Sequence, residues 1–285
     1  MEAPRRTPFR VGGSTRVVGI VADPIRHVRT PHLFNQIASS QQIDAICVPI
    51  HIPPSGLAAL LAGLADVINF AGLLVTIPHK EAVHALCSTL LGAAEQIGSV
   101  NVVRPGASTG CWEGANFDGL GFVSGLKMRG HSVAGKRVLL VGAGGAGKAI
   151  AHAVAAEGPS ELVIANRDFD KAVRLAHATA KIASTGTIIR AGGADPWLYD
   201  VIVNATSLGL CDDDPLPVVA RRLQSGALVC EAVMRTGDTP FLRAARQVGC
   251  ETHGGDWMLR AQIVAMGNFL GFPFSSDVAN SIDAL

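Results

Sequence analysis

Charge of one sign is scarce in this chain: 24 Lys and Arg stand against 23 Asp and Glu, a formal +1 with both signs scattered. Such a molecule has no field to gather polyanions, and no Lys/Arg-rich stripe interleaved with aromatics marks a nucleic-acid surface. Closely spaced cysteines are missing as well. Cys47, Cys87, Cys111, Cys211, Cys230 and Cys250 never form a C-x-x-C pair, so zinc-type spacing is absent and no metal is expected; the pattern reads as buried, reduced thiols of a cytoplasmic protein. Long hydrophobic runs are lacking too. No uncharged apolar run reaches about 18 residues, and Met1-Glu2-Ala3-Pro4-Arg5-Arg6 opens a short polar arm without an apolar signal core. The expectation is a soluble, unexported protein whose partner is a small neutral or anionic molecule, with no nucleic acid or membrane.

Apolar surface is plentiful. At 285 residues and 48% hydrophobic content, the chain is near the size at which one core gives way to two domains. Strand-like runs alternate with helix-like stretches, which predicts an α/β architecture with mostly parallel sheets. A first series comprises Val17–Val21, Ala45–Ile50, Gly72–Val75 and Ser99–Val103, with helices near 31–42, 55–69 and 79–91. A second comprises Val138–Val141, Leu162–Ala165, Thr187–Ile189, Val201–Val203 and Leu228–Cys230, and an apolar-rich helix from Trp257 to Leu270 follows. The joint is expected in the helix-like segment Asp118–Arg129, followed by Gly130-His131-Ser132.

Between the strand Val138–Val141 and a helix-forming run lies Gly142-Ala143-Gly144-Gly145-Ala146-Gly147-Lys148. Gly142, Gly144 and Gly147 fit the spacing that permits a tight turn, close backbone approach to a pyrophosphate and tight helix-on-strand packing. A glycine turn can serve packing alone, but a second apolar strand ends about 20–25 residues on, as a dinucleotide βαβ unit requires. Hydride transfer between a carbinol carbon and nicotinamide needs a group that exchanges the hydroxyl proton, and Lys80 and Asp118 are the candidates. Pro78 opens a helix that places Lys80 in its first turn, where the helix dipole disfavours the ammonium by a few tenths to about 1 kcal/mol. The bland alternative for Lys80 is a solvated surface lysine. For Asp118, between a strand and a helix, it is an N-cap.

With these motifs in order, the chain resembles the shikimate/quinate dehydrogenase family across about 250 residues, from Val18 to Gly271. The resemblance rests on Asp23-Pro24-Ile25-Arg26-His27 with Thr30-Pro31, Val75-Thr76-Ile77-Pro78-His79-Lys80-Glu81, Gly98-Ser99-Val100-Asn101, Asn116-Phe117-Asp118-Gly119 and the Gly142 turn. Asn204-Ala205-Thr206-Ser207, Thr239-Pro240-Phe241-Leu242 and Gly255-Asp256-Trp257-Met258-Leu259-Arg260-Ala261-Gln262 complete the series. It implies an N-terminal α/β substrate domain (1–119, with 254–285 returning), a Rossmann dinucleotide-binding domain (120–253), and a C-terminal helix that returns to the first domain. It also implies reversible oxidation of a ring hydroxyl of a cyclic hydroxy acid with NADP or NAD. Lys80 becomes the acid/base and Asp118 its hydrogen-bonded partner. Thr30, Thr76, Asn101 and Gln262 become substrate contacts. Cofactor contacts fall at Gly142, Ala143, Gly144, Gly145, Ala146, Asn166, Arg167, Asn204, Ala205, Thr206 and Gly255.

The chain departs from the family's pattern at one end of the substrate. Two serines usually flank the His27 turn to hold a carboxylate, where this chain has Val28 and Thr30; Leu74, Phe117 and Met234 replace an asparagine, a threonine and a tyrosine. Each lost hydrogen bond to a charged carboxylate costs about 1.5–3 kcal/mol unless Arg29 or water compensates. The expectation is therefore a shifted substrate: quinate, an amino-substituted shikimate, or a ring with a bulkier apolar substituent. In Asn166-Arg167-Asp168-Phe169-Asp170-Lys171, Arg167 and Lys171 favour the 2′-phosphate of NADP while Asp168, in place of a threonine, repels it, so both cofactors are expected to be used. A non-catalytic nucleotide or metabolite sensor on the same scaffold is the competing reading, and another two-domain dehydrogenase with a similar glycine turn is a remoter one. Monomer and homodimer both remain open.

Overall fold

The computed structural model describes residues 11–26, 28–108, 110–235 and 237–275; the N-terminal arm, His27 of the first motif, and residues 276–285 of the returning segment lie outside the described residues. Two sheets of six strands each make up the molecule. In the first, β1 (Arg16–Ala22), β2 (Ala45–His51), β3 (Phe70–Val75), β4 (Thr89–Leu90), β5 (Val102–Pro105) and β6 (Trp112–Ala115) lie in the order β2-β1-β3-β5-β6-β4. Its helices are α1 (Thr30–Ser40), α2 (Leu57–Leu64), α3 (Lys80–Leu86) and α4 (Ala94–Ile97). Then comes α5 (Asp118–Met128), which leads to β7 (Arg137–Val141), α6 (Gly145–Ala156), β8 (Glu161–Ala165), α7 (Phe169–Ala180), β9 (Ile188–Ala191), β10 (Val201–Asn204), β11 (Leu228–Glu231), α8 (Pro240–Val248), β12 (Glu251–His253) and α9 (Gly255–Phe269).

The second sheet runs β12-β11-β10-β7-β8-β9 with every recorded pairing parallel. This is the doubly wound dinucleotide order, with its crevice at the carboxyl ends of β7 and β10. Its central strands are buried on both faces, which is why they read as continuous apolar runs. Local signals set the helix starts. Asp168 caps α7 by accepting from the Lys171 amide at 3.3 Å, and Thr239 caps α8 by accepting from the Leu242 amide at 3.1 Å, with Pro240 following as the first helical residue.

The first sheet is mostly parallel, as expected, with β5 antiparallel to β3 and β6. It corrects two expectations. The strand expected at 99–103 begins only at Val102; just before it Asn101 lines the cleft while Val100 is buried in the core. The helix expected over 79–91 stops at Leu86, where extended Cys87 leads into the short strand β4 on β6.

The last helix returns to the first sheet. Leu259, Ile263, Met266 and Leu270 are buried in one cluster with Val18, Ile20, Leu33, Phe34, Ile37 and Leu74, each such side chain contributing roughly 1.5–3 kcal/mol. Phe272 and Phe274 extend that cluster against Phe34, and Arg16 fastens the turn by donating to the carbonyls of Leu270 (3.0 Å) and Gly271 (3.2 Å). Helix α5 stands between the two halves. A Cβ at Gly119 would fall 2.3 Å from the Ala149 carbonyl oxygen of α6, and one at Gly121 would fall 2.7 Å from the Met258 carbonyl oxygen of α9. Only glycine permits helices to cross this closely. Among the described residues, no helix is long and apolar enough to cross a membrane.

Candidate active site

Lys80 and Asp118, 38 positions apart in the chain, form an ion pair with side chains only 12% and 2% exposed. Each is placed by its own element. Strand β3 ends at Val75, Thr76-Ile77-Pro78 turns the chain, and Lys80 is the first residue of α3. Asp118 opens α5, and the preceding Asn116 fixes the turn: its Oδ1 accepts from the Asp118 amide (2.9 Å), and its Nδ2 donates to the Ser99 carbonyl (3.1 Å) and Oγ (2.9 Å). The N-cap alternative for Asp118 is thereby corrected. Phe117 is the capping residue and no side chain caps α5, because the Asp118 carboxylate is engaged elsewhere. Its Oδ1 accepts from Asn101 Nδ2 at 2.9 Å, and Asn101 Oδ1 accepts from the Phe117 amide at 2.9 Å, which fixes the orientation of that carboxamide.

Gln262 of α9 closes the cluster. One terminal atom of its carboxamide lies 3.2 Å from Asp118 Oδ1 and 3.3 Å from the Phe117 carbonyl oxygen. Two acceptors at that position identify it as the nitrogen, so Gln262 donates to both. A buried carboxylate thus receives donors from Asn101 and Gln262 besides its lysine. Such satisfaction is what a charge removed from water requires.

These residues line one cleft. Thr30, Thr76, Lys80, Asn101, Asp118 and Gln262, named separately from sequence, meet there, and so do Val28, Arg29, Leu74 and Met234. Phe117 does not line the cleft. Its ring packs edge-on against Phe269 at 6.0 Å, and Phe269 in turn carries the Arg104 guanidinium at 4.6 Å, so its expected effect on the substrate wall is corrected. Ile20, Leu259 and Met266 complete the wall and went unnoticed in the sequence. Two of them had a signal: Leu259 and Met266 lie three before and four after Gln262, on the same helical face.

The glycine turn stands over this floor. Gly142 takes φ +117°, and a Cβ there would fall 2.7 Å from the Ala205 carbonyl. A Cβ at Gly147 would fall 2.2 Å from the Gly142 carbonyl oxygen, whereas Gly144 faces open space. No side chain caps α6, so its first amides, including those of Gly145 and Ala146, face that space beside Ala143. The residues present therefore fit a dinucleotide pyrophosphate. Asn166, at the end of β8, accepts from the Ala143 amide (3.1 Å) and donates to the Asp168 carbonyl (2.8 Å); Arg167 beside it is exposed. Asn204, at the end of β10, accepts from the Thr206 amide (3.0 Å) and hydroxyl (2.7 Å), which fixes the Asn204-Ala205-Thr206 turn against Gly142. Gly255 sits where a Cβ would fall 2.4 Å from the Val233 carbonyl oxygen, and so backs the segment carrying Met234.

Glu231 escaped notice in the sequence. Fully buried beneath the Asn204 turn, its carboxylate accepts from Asn204 Nδ2 (2.9 Å) and Thr239 Oγ1 (2.8 Å). Burial pushes it up to about 7, against the opposing pull of those hydrogen bonds. A single acidic residue ending an apolar strand gives no pattern from which to infer this.

The two halves touch at the chemistry. Ser99 Oγ donates to the Gly145 carbonyl (3.2 Å), and a Cβ at Gly145 would fall 3.2 Å from Lys80 Cβ. The glycine turn is in contact with the lysine itself.

Comparison with known proteins agrees with this geometry. Residues 20–103 match the family model of the shikimate dehydrogenase substrate binding domain, and residues 126–208 that of shikimate / quinate 5-dehydrogenase. The NADP(+) shikimate dehydrogenase of Rubrobacter xylanophilus is 37% identical over 261 residues, 89% of each chain. A shikimate dehydrogenase crystallised with NADP+ superposes with a TM-score of 0.85 at 27% identity, over 97% of this chain and 96% of that one. A ligand-free 5-ketofructose reductase of Gluconobacter superposes with a TM-score of 0.78 at 30% identity, over 94% of this chain and 97% of that one. The chain belongs to the shikimate/quinate dehydrogenase family and is an NAD(P)-dependent oxidoreductase of that type.

Proposed function

We propose that this protein interconverts a ring hydroxyl and the corresponding ketone of a polyhydroxylated cyclic substrate of the shikimate type, with Lys80 as the proton carrier. The observation that carries the proposal is the contact of the glycine turn with Lys80 above the Asp118, Asn101 and Gln262 cluster. A nicotinamide bound at that turn supplies the hydride acceptor or donor. Oxidation starts from Lys80 as the free amine: as the hydroxyl carbon gives up its hydride, Nζ takes the hydroxyl proton, the C–O bond becomes a carbonyl and the lysine ends as the ammonium paired with Asp118; in reverse that ammonium returns the proton as hydride arrives. Asp118 holds Lys80 in place and, with Asn101 and Gln262, orients neighbouring ring hydroxyls, while Thr30 and Thr76 contact the remainder of the ring.

NADP is the cofactor in the name of the Rubrobacter relative, and Arg167 and Lys171 suit its 2′-phosphate. Asp168 weakens that preference, so NAD serves as well. Free cysteines without C-x-x-C pairing and a nearly even charge support a cytoplasmic enzyme. The likeness to a 5-ketofructose reductase favours a second substrate reading, reduction of a ketone in a sugar.

The test is nicotinamide absorbance with shikimate, quinate, aminoshikimate and cyclic ketoses, using NADP and NAD in turn. Turnover of at least one substrate, abolished in Lys80→Met, is expected. Calorimetric binding of ligand with no hydride transfer across the panel overturns the proposal in favour of a sensor.

A further inference from the structure

Carboxylate and carboxamide groups of the cleft are gathered around Lys80. Lys80, Asp118, Asn101 and Gln262 form a single network, and Lys80 is already neutralised by Asp118, so this end presents hydrogen-bonding groups without an uncompensated cation. Away from it the wall is mostly Ile20, Val28, Leu74, Met234, Leu259 and Met266, with the neutral hydroxyls of Thr30 and Thr76 as its uncharged polar groups. Ile20, Leu74, Leu259 and Met266 are buried core residues whose backs pack into the first sheet's cluster, so they cannot turn aside to admit water. Arg29 is the other cation of the lining, but it stands exposed at the N-cap of α1, where an ion pair is weak. A carboxylate against this wall would lose its hydration and gain little in return.

We infer that the substrate is uncharged where it meets this wall: a cyclic polyol, or its ketone, carrying no carboxylate. The inference rests on the dehydrogenase reading above and narrows its substrate class. Hydroxyls are read at the Lys80 end, and the opposite end is chosen for being neutral and partly apolar. Such a wall rejects a charged group far more strongly than it selects among neutral ones, so methyl, hydroxymethyl and ester substituents are all tolerated.

Shikimate, its methyl ester and the alcohol made by reducing the acid share every ring hydroxyl and differ only at the carboxyl position, where the acid alone is charged. Steady-state kinetics with NADP should give kcat/KM for the ester and the alcohol at least about tenfold above that for the acid. The KM of the neutral compounds should stay constant as ionic strength rises. In Val28→Ser/Met234→Tyr, which supplies hydroxyls to the wall, the ratio should move toward the acid. Equal or better turnover of the acid by the unaltered enzyme overturns the inference while leaving the dehydrogenase reading intact. Failure of all three compounds and of the wider panel to change nicotinamide absorbance overturns that reading, and the inference with it.

Discussion

A buried lysine and aspartate cannot be tested singly without ambiguity, because removing either leaves the other charge unpaired. At an effective dielectric of 20, unit charges about 4 Å apart attract by about 4 kcal/mol, and breaking a buried pair typically destabilises by about 3–5 kcal/mol. Lys80→Met should therefore lower thermal stability as well as activity. Lys80→Met/Asp118→Asn, which removes both charges, should recover much of that stability in thermal melts while kcat stays about 10²–10⁴-fold down. Recovery of turnover in the double variant would deny Lys80 its role. At the cofactor's far end, Arg167→Ala should raise KM for NADP by more than it raises KM for NAD. Asp168→Ser keeps the cap on α7 and deletes a negative charge, so it should shift preference toward NADP with an unchanged melting temperature. The polar residues that line the cleft were legible because each sits in a short motif of unusual polarity, as Asn101 does in Gly98-Ser99-Val100-Asn101. Ile20 was not legible, since an isoleucine in an apolar strand looks the same whether it faces a core or a cleft. Phe117 misled for the opposite reason: its position in a motif said nothing about where its ring would turn.

Helix α5 shows how small residues set the spacing of larger elements. Gly119→Ala and Gly121→Ala insert a methyl group where backbone carbonyls of α6 and α9 already lie, within 2.3 Å and 2.7 Å. Each should destabilise by about 1–3 kcal/mol in urea titrations. Gly121→Ala also presses on Gln262, whose Cβ would be 2.8 Å away, and so should raise substrate KM. Gly63, exposed within α2 with nothing within 4 Å, is the control: Gly63→Ala should stabilise by about 0.5–1 kcal/mol. The doubly wound sheet was legible because strands buried on both faces leave unbroken apolar runs. Strand β12, Glu251-Thr252-His253, was not; it lies at the sheet edge and pairs through its backbone, which needs no hydrophobic side chain. Strand β4 is only two residues long, too short for any period to register.

Over the whole molecule, two buried titratable groups pull stability in opposite directions with pH. Glu231 is pushed up to about 7 from an ordinary 4.5 by burial, so the unfolded chain loses its proton first, and this contribution falls as pH climbs from 4.5 to about 7. His253, buried between Phe122 and His131, is pulled down to about 4 from 6.5 by burial and by the nearby His131 and Arg129; its contribution falls as pH drops from 6.5 to about 4. Relative to the unaltered protein, Glu231→Gln should gain stability as pH rises through 4.5–7, and His253→Gln should gain as pH drops through 6.5–4, both read from urea midpoints. Similar slopes for parent and variants would mean that neither group is held as described. The order of the chain carries one more consequence. Leu259, Ile263, Met266 and Leu270 complete the interior of the sheet that the ribosome makes first. Those early strands wait, half-dressed, until α9 has emerged, while the later-made nucleotide half draws a single buried residue, Met258, from that helix into its own core. Birth order and maturation order are thus reversed, and any nascent chain cut short ahead of α9 is left with a sticky, unfinished face for chaperones to guard.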